Sequence, residues 1–444
     1  MFSKILVANR GEVAVRIIRA CREMGIETVA VYSEADRNSL PAALADERIC
    51  IGASPAAESY LNQKNIISAA LAMGANAIHP GYGFLSENAE FAALCEENGI
   101  TFIGPDSKVL EAMGDKDHSR QLMKEIGVPV VPGTEILKDA AEAKERAKEI
   151  GYPLLIKATA GGGGKGIRVV WKEDELENAF YAASREAESA FSNGDVFLEK
   201  YLTSVRHVEM QVLADCFGNI LCLGERDCSL QLNKQKVLEE TLCPVMTEEI
   251  RQQMMDAAVK AAKAAEYTNA GTVEFLLAPD GQFYFIEMNT RLQVEHPITE
   301  EISGIDIVKW QIRIACRIPL DIRQENIHLH GHSIECRINA RSTGIVDFLH
   351  IPGGARVHFD TALVQDCEIV PYYDSMLGKL IVYAQDREEA IRKMEAALCE
   401  MVIQGVETNI EDQLRLVRSK AFFKGEYDTL ALQNILEEGR GINE

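Results

Sequence analysis

The run from Gly271 to Glu295 restricts the fold most, because two β-rich segments flank a tetrapeptide suited to turning. Gly271-Thr-Val-Glu-Phe-Leu-Leu277 has strand composition, Ala278-Pro-Asp-Gly281 has turn chemistry, and Gln282-Phe-Tyr-Phe-Ile-Glu287 reads as the returning strand. A symmetric turn about Pro279-Asp280 predicts Leu277 opposite Gln282 and Glu274 opposite Phe285. Side chains alternate faces along a strand, so Glu287 would share the face of Phe285 and Glu274. The two carboxylates then become diagonal neighbours, roughly 7–8 Å apart at the backbone, a gap that glutamates close around cations. If the chain stays extended, Asn289, Arg291, Gln293 and Glu295 continue that face, and Ile286, Met288, Thr290, Leu292 and Val294 take the other. A solvated edge strand also alternates, although its polar face more commonly carries Lys, Ser and Thr.

The residue types on this face point to a chemistry. Two carboxylates and an amide oxygen suit Mg²⁺, which keeps positions for water and substrate phosphates. An arginine and a further glutamate can hold a small anion and move a proton. Together they suit phosphoryl transfer.

The 444 residues leave room for two or three domains, and 47% hydrophobic with 26% charged residues is ordinary globular composition. No apolar run reaches the roughly 18–20 residues of a membrane helix. Met1-Phe-Ser leads straight into the strand Lys4–Ala8, which leaves no room for a targeting peptide and implies a cytoplasmic protein. Eleven cysteines are scattered without a Cys-x-x-Cys pair, and Cys21, Cys95 and Cys336 fall at core positions, so reduced thiols are expected. A net charge of −22 argues against nucleic-acid binding. An anionic substrate would need local cations to reverse that field.

From residue 1 to about 113, strand and helix alternate. Ile5–Ala8, Thr28–Tyr32, Ala75–Ile78 and Thr101–Ile103 read as strands, and Val13, Ile17, Ile18, Cys21 and Met24 follow helical spacing up to Gly25. Repeated βα units imply a parallel sheet covered on both sides. The first turn, Asn9-Arg-Gly-Glu12, is not a dinucleotide-binding glycine motif. The loop His79-Pro-Gly-Tyr-Gly-Phe-Leu-Ser-Glu-Asn88 follows the carboxyl end of a strand, where such sheets bind ligands; a tight turn would also explain its glycines.

Val128-Pro-Val-Val-Pro-Gly133 reads as a linker into a second unit. There the strand Tyr152–Lys157 meets Gly161-Gly-Gly-Gly-Lys-Gly166 and then Ile167–Val170. Such a loop between strands can lay amide groups on phosphate oxygens. It differs from a Walker A loop, since Gly166 follows Lys165 and a strand stands where a helix belongs. Farther on, His207-Val-Glu-Met-Gln211 alternates as a strand lining a cleft, and Arg226–Lys236 is densely polar. The tail offers strands at His332–Ile338 and Lys379–Tyr383 and a helix near 387–402. His328, His330 and His332 alternate as on one strand face, without an acidic or cysteine ligand nearby.

Several of these segments together resemble the biotin carboxylase family of ATP-grasp enzymes. They are Ala8–Glu12, His79–Asn88, Met113-Gly-Asp-Lys116, Lys157 with its glycine loop, Arg226-Asp-Cys-Ser229, Glu287–Pro297, Glu335–Ala340 and Tyr372–Met376, and the resemblance spans essentially the whole chain. It implies an α/β ATP-grasp architecture: an N-terminal parallel-sheet domain (1–113), a helical linker (114–131), a small α+β lid with a glycine-rich hairpin (132–202), and an α+β C-terminal domain with a large antiparallel sheet (203–444). The last divides into an ATP-grasp half to about 325 and a C-terminal region from about 330. ATP would lie between lid and C-terminal domain, on Lys116, Lys157, Gly162, Gly163, Gly164, Glu199, Lys200, Leu202, His207, Gln231, Lys234, Glu274 and Glu287. Glu274, Glu287 and Asn289 would bind two Mg²⁺ or Mn²⁺ ions. Lys236, Arg291, Gln293 and Val294 would hold bicarbonate, Glu295 would remove its proton, and Tyr82 and Arg337 would meet biotin.

The implied activity is ATP-dependent carboxylation of biotin on a separate carrier protein, the first half-reaction of acetyl-CoA carboxylase, with the carboxyltransferase on another chain and this chain a homodimer. The same module serving pyruvate or another acyl-CoA carboxylase, or a different ATP-grasp ligase, remains open. Leu232-Asn-Lys234-Gln-Lys236 stands for the family's usual Arg-Arg-His-Gln-Lys, Lys165 for an arginine, and Arg341-Ser-Thr-Gly for Glu-Asp-Pro.

Overall fold

The computed structural model describes residues 1–159, 166–191, 193–232 and 235–438. They form two compact units. One combines Met1–Val128, Arg206–Leu276 and Glu287–Glu444; the other combines Pro129–Val205 and Leu277–Ile286.

The first unit opens with a five-stranded parallel sheet in the order Glu47–Gly52, Glu27–Ser33, Lys4–Val7, Ala77–His79, Thr101–Phe102. Alternate residues of one strand enter different cores. Ile5 and Val7 pack with Val13, Ile17 and Ile18 of the helix Gly11–Glu23, whereas Leu6 packs with Ile66, Ile78 and Phe91. Both faces are therefore covered, as a parallel sheet requires.

An eight-stranded sheet has the order Phe283–Asn289, Asn269–Leu277, Arg206–Ala214, Ile220–Leu232, Gln235–Thr241, His332–Asn339, Met376–Ala384, Val357–Thr361, and the first unit holds all of it but Leu277 and Phe283–Ile286. From Arg206–Ala214 to Val357–Thr361 every neighbouring pair is antiparallel. Its far end is backed by the helices Arg387–Glu400 and Ile410–Arg418, whose Ala390, Met394, Leu398, Leu416 and Val417 pack on Ile334, Leu380 and Val382. His332 lies in a strand, but Nε2 is 2.7 Å from a Glu240 carboxylate oxygen, and His328 and His330 precede the strand, so the alternating histidines do not share a strand face.

In the second unit, Ile167–Val170, Leu154–Ala158 and Val196–Lys200 form a three-stranded antiparallel sheet. The helices Ala140–Ile150 and Glu173–Phe191 cover it through Ala143, Ala147, Leu176, Phe180 and Ala183. Lys157 pairs with Ile167, so the glycine-rich segment connects two paired strands. Gly162, Gly163, Gly164 and Lys165 themselves lie outside the described residues, as does Lys234.

The organising hairpin turns differently from the symmetric expectation. Ala278 N donates to the Gln282 carbonyl at 2.8 Å and Gly281 N to the Ala278 carbonyl at 3.0 Å, with Gly281 at φ +85°. This is a three-residue loop closed by a bulge at a left-handed glycine, reinforced by Asp280 Oδ1 accepting from Gln282 N. Ala278 therefore faces Gln282, one residue away from the expected pairing of Leu277 with Gln282. The strand also stops at Asn289, so residues 290–295 do not continue extended.

Candidate active site

The sequence segment that leaves the hairpin curls. His296 N and Nδ1 both lie against the Gln293 carbonyl, at 3.3 and 2.8 Å, and the helix His296–Ser303 starts immediately with Pro297 in its first turn. Curling gathers what an extended strand would spread. Arg291 donates to Asn289 Oδ1 at 3.2 Å and to Gln293 Oε1 at 3.0 Å, and Gln293 Nε2 reaches Glu274 Oε1 at 3.3 Å. Glu87, from the loop after Ala77–His79, accepts from Arg291 Nε at 2.8 Å and from Thr290 N at 3.2 Å.

Glu295 ends this segment fully buried, between two cations. Lys236 Nζ reaches its Oε1 at 2.7 Å and Arg337 Nη2 its Oε2 at 2.9 Å. Burial alone would push the carboxyl up; Lys236, then Arg337 and Arg226, hold it well below its ordinary range. Lys236 also meets Glu209 at 2.5 Å and Glu274 at 3.0 Å. Glu274 lies 2.9 Å from His207 Nε2, and Lys236 and His207 together outweigh its burial and depress its pKa. His207 Nδ1 is 2.7 Å from Gln231 Nε2. On the other side of Glu295, Arg337 Nε donates to Glu239 at 2.6 Å, and burial still lifts the Glu239 carboxyl to about 7 against that guanidinium.

These positions hold because Arg226 is buried beneath them. Its guanidinium donates to Glu209, to Gln211 and Thr299 at 2.8 and 2.9 Å, and to Thr272 at 3.2 Å. Arg226 thereby fixes the carboxylate that fixes Lys236. A guanidinium suits this place, since its planar fork satisfies several acceptors at once.

Thus Lys236, Arg291, Gln293, Glu295, Arg337, Glu274, His207 and Gln231 form one connected set. Asn289 joins it through Arg291, and the Val294 carbonyl accepts from Lys379 Nζ at 2.7 Å. Glu287 pairs with Lys116, whose Nζ lies 3.2 Å from its Oε2. Tyr82 donates its hydroxyl to Glu12. In the second unit Lys157 pairs with Glu199, Lys200 Nζ donates to the Gly151 and Tyr152 carbonyls at 2.9 and 2.8 Å, and Leu202 is half-buried.

Glu87, Glu209, Arg226, Glu239 and Lys379 were not among the expected site residues. A lysine inside the apolar run Met376–Ala384 carried a signal, since a lysine is almost never fully buried unless paired. The short motifs also have structural work: Asn9 Nδ2 donates to the Pro80 and Tyr82 carbonyls at 2.6 and 2.8 Å. Gly81, at φ +65°, lies so close that a Cβ there would meet Asn9 Nδ2 at 3.0 Å and Val13 at 3.2 Å. The Asn9–Glu12 turn is thus the mould for the Tyr82 loop.

Known proteins match this chain over its length. The family "Biotin carboxylase, N-terminal domain" matches residues 1–110, "Carbamoyl-phosphate synthase L chain, ATP binding domain" residues 115–323, and "Biotin carboxylase C-terminal domain" residues 335–434. Biotin carboxylase 1 of Bacillus subtilis is 53% identical, with 98% of each chain covered. The 2-oxoglutarate carboxylase small subunit of Hydrogenobacter thermophilus is 51% identical, over 98% of this chain and 93% of that protein. One of the pyruvate carboxylase subunits of Methanothermobacter thermautotrophicus is 52% identical, over 97% and 89%.

Among solved structures, a Campylobacter jejuni biotin carboxylase complex with a β,γ-ATP ligand superposes with a TM-score of 0.93 at 47% identity, covering 98% of this chain and 99% of that one. The biotin carboxylase domain dimer of the Hydrogenobacter 2-oxoglutarate carboxylase, with MgADP, ADP and bicarbonate, gives 0.92 at 50% identity, over 100% and 99%. With domain matches in all three regions, half its residues shared and the fold superposing throughout, the chain belongs to the biotin carboxylase family of ATP-dependent ATP-grasp ligases.

Proposed function

We propose that this chain carboxylates biotin on a separate carrier protein, consuming ATP and bicarbonate by way of carboxyphosphate. The observation that carries the reading is the buried Glu295 carboxylate held at one oxygen by Lys236 and at the other by Arg337. One cation is assigned to bicarbonate and the other to biotin, and the base between them takes the bicarbonate proton.

Lys236, Arg291, Gln293 and Val294 are assigned to bicarbonate. With Lys236 on one oxygen and Arg337 on the other, Glu295 is a poor base, because both cations stabilise its charge. An anion that takes up Lys236 loosens that hold, raises the proton affinity of Glu295 and lets it remove the bicarbonate proton. Oxygen then attacks the γ-phosphorus, ADP leaves, and carboxyphosphate breaks down to CO₂ and phosphate. Phosphate takes the ureido N–H proton, the nitrogen attacks CO₂, and the Arg337 guanidinium donates to the enolate-like ureido oxygen. Tyr82 is assigned to biotin beside it.

Lys116 and Lys157, with Gly162, Gly163 and Gly164, are assigned to the phosphates. Glu199, Lys200 and Leu202 are assigned to adenine, and His207, Gln231 and Lys234 to the nucleotide side. Glu274, Glu287 and Asn289 would hold two Mg²⁺ or Mn²⁺ ions. The donor set fits hard divalent cations: Glu274 is kept ionised by Lys236 and His207, and Glu287 is half-exposed beside Lys116. Such ions supply neutralisation of the phosphate oxygens.

The working divisions are 1–113, the linker 114–131, the lid 132–202 and the catalytic region 203–444. A homodimer is supported by the dimeric Hydrogenobacter structure, and separate carrier and carboxyltransferase chains by relatives that are themselves subunits. Eleven unpaired cysteines support a cytoplasmic setting, and no helix among the described residues is long and apolar enough to cross a membrane. The purified chain is expected to cleave ATP only with bicarbonate, faster with free biotin; cleavage indifferent to both would overturn the reading.

For the final acceptor we favour acetyl-CoA, giving malonyl-CoA for fatty acid synthesis. A second acceptor is a 2-oxo acid, because relatives named for 2-oxoglutarate and pyruvate carboxylases match as well as one named biotin carboxylase. Reconstitution with each class of carboxyltransferase separates the two.

A further inference from the structure

Lys379 is fully buried in the strand Met376–Ala384, where it faces Arg337 on one neighbouring strand and Asp360 on the other. Its Nζ donates to the Val294 carbonyl at 2.7 Å and stands 3.1 Å from Glu12 Oε1. Glu12, in the first turn of the helix Gly11–Glu23, accepts the Tyr82 hydroxyl on that same oxygen, while its Oε2 is buried without a partner. A continuous bonded chain therefore runs Tyr82–Glu12–Lys379–Val294.

The two ends of this chain have different jobs in the proposed reaction. Val294 precedes Glu295 and stands among the bicarbonate residues; Tyr82 stands with biotin. The middle is two opposite charges in a water-free place, which is expensive unless each compensates the other. A buried lysine committed to one backbone carbonyl fixes the path of that backbone. Its other commitment shares a single carboxylate oxygen with the phenol, so movement of the phenol alters the bond that steadies Val294.

We infer that Glu12 and Lys379 are positioning residues, which couple the Tyr82 phenol on the biotin side to the Val294–Glu295 backbone on the bicarbonate side. This rests on the proposed function. The link sets the distance between the two substrates' binding groups from within the protein, and neither residue of the middle touches a substrate.

The test uses the full chain and ATP cleavage measured without biotin, with bicarbonate varied. Tyr82 has no substrate to touch in that assay. Tyr82→Phe, which removes only the hydroxyl, is expected to raise the KM for bicarbonate by about threefold or more, the scale of coupling between bonded neighbours. Lys379→Met is expected to raise it by at least about fivefold while the KM for ATP stays within about twofold. In the Tyr82→Phe/Lys379→Met double variant the two effects should overlap instead of multiplying.

A merely structural lysine would lower kcat through the fraction of folded enzyme and leave each KM in place. Should Lys379→Met fail to fold, Glu12→Gln/Lys379→Met removes both charges, and Tyr82→Phe decides by itself. An unchanged bicarbonate KM in Tyr82→Phe, with wild type needing bicarbonate, overturns the link and leaves the proposed function standing. Wild type that ignores bicarbonate overturns both.

Discussion

Lys236 and Arg337 hold opposite oxygens of one buried carboxylate, at 2.7 Å and 2.9 Å on Glu295. Neither cation depends on Glu295 alone, since Lys236 keeps Glu209 and Glu274 and Arg337 keeps Glu239. Glu295→Gln is therefore expected to fold, with a melting temperature near wild type. Loss of the general base should lower bicarbonate-dependent ATP cleavage by about 10²- to 10⁴-fold. A rate within a few-fold of wild type would assign the proton transfer elsewhere.

Arg337→Ala should separate the two halves of the reaction. Biotin carboxylation is expected to fall by about 3–4 kcal/mol in barrier, as when one oxyanion donor is lost. Slow ATP cleavage without biotin should largely remain. Measuring ADP release with and without free biotin checks this, and equal loss of both would make Arg337 a support for Glu295 only.

Glu287→Gln should keep the fold, because the carboxylate is half-exposed and its pair, Lys116, is itself at the surface. Turnover is expected to collapse at ordinary Mg²⁺ and to recover partly at high Mg²⁺. An unchanged Mg²⁺ titration would remove Glu287 from the metal set.

Glu240 supplies a pH dependence away from the site. It is fully buried and accepts Arg387 Nε at 2.7 Å, Arg387 Nη2 at 2.9 Å and the Tyr427 hydroxyl, and lies 2.7 Å from His332 Nε2. Burial opposes ionisation, yet His332 and Arg387 bring its pKa down to about 2. A depressed carboxyl stabilises the fold above its unfolded value of about 4.3, and that contribution, at most about 3 kcal/mol, fades as pH falls towards 2. Urea midpoints should drop across that window. Glu240→Gln should flatten that part of the slope and cost about 3–5 kcal/mol at neutral pH, since it strands Arg387.

What the sequence made legible follows from how far each inference reached. The parallel sheet was readable from apolar runs at strand spacing, except the edge strand Glu47–Gly52. There, Arg48 and Cys50 share the exposed face and interrupt the apolar signal. The cluster of Lys236, Arg291, Gln293, Glu295 and Arg337 was named through the family resemblance. The local geometry offered for part of it, an extended strand, fails at Asn289, where the chain curls and does the gathering. The turn differs by one residue because Pro279-Asp280-Gly281 makes a three-residue loop, which sets Ala278 across from Gln282. Glu209, Glu87 and Lys379 were missed for another reason. Their partners lie far away in sequence, and an isolated carboxylate or lysine does not announce which distant group will neutralise it.

Arg226 carries a consequence for how the molecule comes to exist. Its side-chain partners come from the strand Arg206–Ala214, the strand Asn269–Leu277 and the helix His296–Ser303. A guanidinium shut away from water is tolerable only when all of them are present, so a half-assembled sheet without that helix leaves a stranded charge at its centre. One guanidinium thus ties two strands and a helix together, so the loss of any one of these elements would leave a buried charge short of its acceptors.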